Sequence, residues 1–165
     1  MAHLCQNAQI VVAFDPVNLA TAGGTGDYVS LKGYKHVTVL FVKGDGASGE
    51  DPTITLYQAT TVAGGSAKAL TFTTIYVKQG ADMAAIGTFT KTTQTAASTY
   101  TSATAGEQKA VWAIEIDADQ LDVDNGFDCI RADISDVGDT SQIGTVLYIL
   151  TEPRYAGETM PSAIA

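Results

Sequence analysis

Along most of this chain apolar and polar residues alternate with a period of two, the spacing at which successive side chains fall on opposite faces of a β-strand. In residues 36–43, HVTVLFVK, Val37, Val39 and Phe41 share one face while Thr38, Leu40 and Val42 share the other. Apolar side chains on both faces predict a central strand covered on both sides. Residues 53–59, TITLYQA, set Ile54, Leu56 and Gln58 against Thr53, Thr55 and Tyr57, the pattern of a half-buried strand. Strong strands are also predicted at 70–78, at 110–116 with Trp112, Ile114 and Ile116 facing inward, at 127–135 and at 145–151. Shorter ones are predicted at 9–14 and 28–32. In residues 87–105 Thr and Ser dominate and only Phe89 and Tyr100 supply bulk, which predicts one or two edge strands or an ordered loop.

Turn chemistry separates these runs. The acidic, glycine-rich GDGASGED at 44–51 and the Gly64-Gly65-Ser66 step read as exposed turns. A turn of helix is predicted to start at Asp117 or Asp119 and to stop at Asn125-Gly126, where a left-handed residue is accommodated. The whole pattern amounts to eight to ten strands with no amphipathic helix longer than two turns. The fold class expected is all-β: an antiparallel β-sandwich, jelly-roll-like, over residues 9–151, with extended arms at 1–8 and 152–165. The final stretch, EPRYAGETMPSAIA, closes on small apolar residues where a free tail would carry charge. It is expected to dock on a neighbour, with Pro153, Arg154, Tyr155, Pro161 and Ile164 as interface residues.

Composition narrows the partners. The chain has 165 residues, 22 of them Thr, with 9 basic and 18 acidic residues for a net charge of −9. Binding through phosphates needs clustered Lys and Arg, so nucleic acid and anionic membrane are excluded as partners at this stage. No run approaches the ~18 apolar residues of a membrane helix, and residues 1–7 lack a basic leader, so a soluble protein made in a cytoplasm is expected.

Candidate chemistry is sparse. Cys5 and Cys129 lie 124 positions apart without a C-x-x-C pairing, which gives no zinc site. Two free thiols with Cys129 buried is the simpler reading, and a disulfide between them stays open. The two histidines, His3 and His36, have no nucleophile at a recognisable spacing, and no G-x-S-x-G elbow exists. The glycine tract GGTGD at 23–27 lacks the Lys and Ser or Thr of a phosphate loop, so it reads as a flexible turn.

Nine acids, among them Glu115, Asp117, Asp119, Asp122 and Asp124, then Asp128, Asp133, Asp136 and Asp139, raise the question of calcium. Asp122-Val-Asp124-Asn-Gly126 brings its glycine one position early for an EF-hand and has no Glu at the twelfth place, so a solvated rim is the simpler reading. A sugar-cleaving carboxylate pair would need stacking aromatics, and there is one Trp. No catalytic residue, cofactor or metal ligand is assigned.

Two passages carry a resemblance. They are GYKHVTVLFVKGDG…DPTITLYQATTVAGGSAKAL at 33–70 and AIEIDADQLDVDNGFDCIRADISDVG…TVLYILTEPRYAGETMPSAIA at 113–165. Both resemble small structural proteins of tailed-phage virions, in particular head decoration or cement proteins. That resemblance implies a β-sandwich subunit, often a homotrimer, on the outer capsid surface, with the major capsid protein as its partner and no active site. Two other expectations stand beside it: a carbohydrate- or Ca-binding sandwich on a virion or cell surface, and a tail or head-completion component.

Overall fold

The computed structural model describes residues 3–155 and 160–164. In chain order the strands are β1 (Ala8–Asn18), β2 (Gly24–Thr25), β3 (Val29–Ser30), β4 (Tyr34–Lys43), β5 (Thr53–Ala59) and β6 (Lys68–Ala69), followed by β7 (Phe72–Gly80), β8 (Thr90–Ala97), β9 (Thr99–Thr101), β10 (Lys109–Asp117), β11 (Cys129–Ile134) and β12 (Ile143–Pro153). They form two antiparallel sheets packed together, an all-β sandwich. The larger sheet runs β1-β12-β4-β10-β7-β8; the smaller runs β2-β11-β5-β6, with β3 paired to β11 and β9 to β5.

Alternation decides which side chains enter the core. Val37, Val39 and Phe41 of β4, Trp112 and Ile114 of β10 and Tyr148 of β12 are fully buried, and they meet Ile54 and Leu56 of β5 and Ile130 of β11. Trp112 is the anchor expected of it. Its ring lies 5.2 Å from Phe41 and 4.9 Å, edge-on, from Tyr100, and its indole N–H donates to Gln79 Oε1 at 3.1 Å. The half-buried pattern of β5 is also as expected, down to its limits at Thr53 and Ala59.

Tyr148 ties the two sheets together. Its hydroxyl accepts from the Ala132 N–H of β11 at 2.8 Å and donates to the Asp27 carbonyl at 3.1 Å. The glycine tract at 23–27 departs from the flexible turn expected of it. Gly24–Thr25 is the strand β2, paired with Asp133 and Ile134 of β11. A side chain at Gly26 would begin 2.3 Å from the Ala132 carbonyl oxygen and 2.9 Å from the Tyr148 hydroxyl, so the missing Cβ is what lets the chain close on β11. These glycines serve close approach, a role their spacing alone does not distinguish from mobility.

The helical turn expected after residue 117 is present as two short 3-10 turns, Ala118–Gln120 and Val123–Asn125, and Gly126 ends the second with φ of +79°. At the N-terminal side, Leu4–Asn7 forms one turn of helix where an extended arm was expected. At the C-terminal side, β12 continues through Pro153, and Met160 and Ala163 return to the core, where the Ser30 N–H donates to the Ala163 carbonyl at 2.7 Å. Residues 1–2 of the first arm, and 156–159 and 165 of the second, lie outside the described residues.

Both edges of the larger sheet are irregular. The pairing of β1 with β12 shifts register between Val12 and Phe14 and again between Phe14 and Val17, a stretch that contains Pro16. At the far edge, the pairing of β7 with β8 shifts between Phe72 and Thr74, and β8 is rich in Thr. No helix among the described residues is long and apolar enough to cross a membrane.

Candidate functional site

The register of the larger sheet sets one row of outward side chains directly beside the next. Val12 pairs with Leu147, Leu147 with Leu40, Leu40 with Ala113, and Ala113 with Tyr76. In the neighbouring rows Ile10 pairs with Ile149 and Val42 with Val111. Partners in an antiparallel pair point to the same side, so these residues make one aliphatic field across five strands. Apart from Ala113, which is buried, none of them belongs to the core or packs against it among the described residues. Ile10 and Val12 are 44% and 46% exposed, and Ile143 at the end of the field is 52% exposed. Ala113 is buried, and the others are half-buried, chiefly against one another. The cover predicted for both sides of β4 is therefore present on one side only.

A polar network closes one end of this field. Glu115 Oε2 lies 2.7 Å from His36 Nε2 and accepts from the Thr38 hydroxyl at 2.8 Å, and His36 Nδ1 lies 3.0 Å from the Thr151 hydroxyl. At the other end Lys43 turns inward and is buried. Its ammonium donates to the carbonyls of Ala105, Gly106 and Gln108, and burial draws its pKa down to about 8 against the opposing pull of Asp51, Asp45 and Glu107.

The smaller sheet presents a different outer surface. Arg131 lies between the rings of Tyr28 and Tyr57, 4.9 Å and 4.8 Å from their centres, and donates to Asp133 at 2.8 Å. With Thr25, Asp27 and Lys68, Arg131 and the two tyrosines line an open cleft of about 520 Å³. Arg131 is paired with Asp133 and Lys68 with Asp122, so the cleft gathers no excess of positive charge. Burial raises the Tyr28 phenol, opposed by the nearby Arg131. Lys68, and after it Asn125, hold the Asp122 carboxyl below its usual range.

The residues singled out in the sequence fall in scattered places. His3 is exposed, and His36 is held in the network with Glu115 and Thr151. Among the described residues no group of three or more His, Cys, Asp or Glu side chains is arranged to hold a metal ion, so the acidic stretch does not assemble a calcium cage. Both cysteines are free, Cys5 exposed and Cys129 buried, and burial with the adjacent Asp128 pushes the Cys129 thiol up to about 12.

Of the tail residues, Pro153 pairs with Tyr34, and Arg154 donates its backbone N–H to Gly33 at 2.8 Å and its Nε to the Tyr34 carbonyl at 3.3 Å. The Pro161 carbonyl accepts from the Tyr34 hydroxyl at 2.6 Å. These three are engaged within their own chain, whereas Tyr155 at 77% and Ile164 at 66% exposure face solvent. The aliphatic field itself was not singled out. Its signal was present in the nearly unbroken apolar runs of 36–43 and 145–151, which ask for two covers.

No protein-family model matches the chain, and no curated protein is similar to it. Among solved structures, the crystal structure of the SPBc2 prophage-derived protein YomS is similar at 14% identity and a TM-score of 0.48, over 88% of this chain and 94% of that one. The likeness is too distant to carry an argument.

Proposed function

We propose that this chain is a virion structural protein that decorates and stabilises a phage capsid by bridging major capsid subunits. The observation that carries the reading is the aliphatic outer face of the larger sheet. Contiguous apolar patches of more than a few hundred Å² are rare on monomers and mark surfaces that other proteins cover. The resemblance of residues 33–70 and 113–165 to phage decoration proteins supplies the setting. A net charge of −9 suits the outside of a shell better than contact with packaged DNA.

In this reading the protein works by adhesion. Exposed Tyr155 and Ile164 at the end of the chain supply further contacts, and repetition over a symmetric lattice multiplies weak ones. Reconstruction of purified particles tests it. Density for this chain over junctions between shell subunits is the expected result, and particles without it would refute the role.

A further inference from the structure

The larger sheet is apolar on both faces, and its own chain covers one. We infer that the outer face pairs with the same face of a second copy of this chain, about a two-fold axis that crosses the strands at Leu40. The inference rests on reading this face as adhesive, and it names the partner.

Charge points to a second copy. The chain holds 9 basic residues against 18 acidic ones, yet the outward positions of β10, β7 and β8 carry Lys78, Lys91 and Lys109 against Glu115 and Asp117. With Asp15 of β1 included, the outer face of the larger sheet is close to neutral on a strongly acidic chain, so two copies meet there without strong repulsion.

The signs are also ordered along the strands. Lys78 stands beside Val111, one row beyond Ala113 in one direction, and Lys109 lies a further row out. Glu115 and Asp117 occupy the corresponding two rows in the other direction, beside Thr38 and His36. A two-fold axis across the strands exchanges these ends. It brings Lys109, which reaches Asp45 at 3.2 Å within its own chain, over Asp117 of the second copy, and Lys78 beside that copy's Glu115. Leu40 then meets Leu40, and Leu147 meets Leu147. An axis along the strands would instead set Lys78 toward Asp15 of β1 and Lys109 toward Ile143 of β12, one opposite-sign meeting where the axis across the strands gives two. An isologous contact of this kind is self-complementary and closes at two copies.

Area sets the strength. Five strands at ~4.8 Å spacing and three outward rows make a field of roughly 20 by 20 Å, or about 400 Å² per copy. That is about half of what each partner gives to a standard interface of ~800 Å², the size of a weak, reversible pairing.

Sedimentation velocity of the full chain over a wide range of concentrations should show a monomer–dimer equilibrium. Leu40→Lys should weaken it at least ~100-fold, because a charge would be buried on the axis, while the circular dichroism spectrum and Tm stay those of the parent. Lys78→Glu should weaken it ~10-fold, and the double variant Lys78→Glu, Glu115→Lys should recover most of the loss.

A chain that stays monomeric at all concentrations, a dimer that Leu40→Lys leaves intact, or a trimer would each overturn the inference. A monomer that still decorates particles defeats the pairing and leaves the virion role standing. A dimer absent from particles does the reverse.

Discussion

On the smaller sheet the outward positions of β5 and β11 carry Thr53, Thr55, Tyr57, Arg131 and Asp133, and most are engaged by their neighbours. Thr53 bonds Thr101 across to β9 at 2.5 Å, and Arg131 binds Asp133 while lying against Tyr57 and Tyr28. On the larger sheet the outward positions of β4 and β12 carry Leu40, Val42, Leu147 and Ile149, which touch mainly each other. The inward faces of the two sheets are alike, dense and dry. The difference is therefore confined to every second residue of a few strands. Antiparallel sheets with one wet side ordinarily place polar residues there, as the smaller sheet does. The larger sheet is built like an interior strand layer, but among the described residues its second side has no cover.

The comparison breaks most completely if the shared core is opened. Trp112→Ala removes the ring packed on Phe41 and Tyr100 and should cost about 3–5 kcal/mol, read as a lower urea midpoint with both sheets unfolding together. Next in size is Tyr148→Phe, which leaves the buried Ala132 N–H without its acceptor. A loss of about 1–3 kcal/mol is expected in the same melt, and Ala132 amide exchange should accelerate.

The two outer faces are then contrasted directly. Arg131→Met strips Asp133 of its partner on the smaller sheet and should cost about 1 kcal/mol. Leu40→Thr on the larger sheet should leave the dilute monomer within ~0.5 kcal/mol of the parent, because Leu40 touches only its neighbours on this outer face and Thr suits an exposed strand position. Equal losses in the two variants would erase the distinction between the faces.

The smallest effect separates the sheets by pH. Lys43 lies in the larger sheet with its pKa drawn down to about 8, from an ordinary 10.5, and Cys129 lies in the smaller with its own pushed up to about 12, from 9.0. Between about pH 8 and 9 the folded chain releases the Lys43 proton that the unfolded chain keeps, so stability rises with pH. Above about pH 9 the unfolded chain loses the Cys129 proton that the folded chain keeps, which opposes the rise and turns it into a fall above about 10 as buried Tyr148 joins in the same sense. Tm measured against pH should show this maximum. Lys43→Met should flatten the ascending side, and Cys129→Ala should soften the descending one.

Much of the architecture was legible because alternation is a local signal. Thr53–Ala59 was recovered to the residue, Trp112 was placed inward, and Gly126 was recognised as the stop of a turn. What escaped depended on contacts distant in sequence. The tract at 23–27 looks mobile until β11, more than a hundred residues later, is laid against it. The expected docking tail turned out to spend Pro153, Arg154 and Pro161 on Gly33 and Tyr34 of its own chain, leaving Tyr155 and Ile164 outward. The aliphatic field was visible as a demand for cover, but only the pairing of β1, β12, β4, β10 and β7 shows that the demand is contiguous and unmet.

The broken register of β1 around Pro16 and the displaced end of β8 have a bearing on growth. A long regular edge would recruit further strands and run on as a ribbon without end. Here Pro16 has no N–H to offer, and the neighbouring bulges bend the edge away from any incoming backbone. Strand-by-strand extension into a fibre is therefore discouraged at both margins of the sheet, which leaves its faces as the route by which copies could meet.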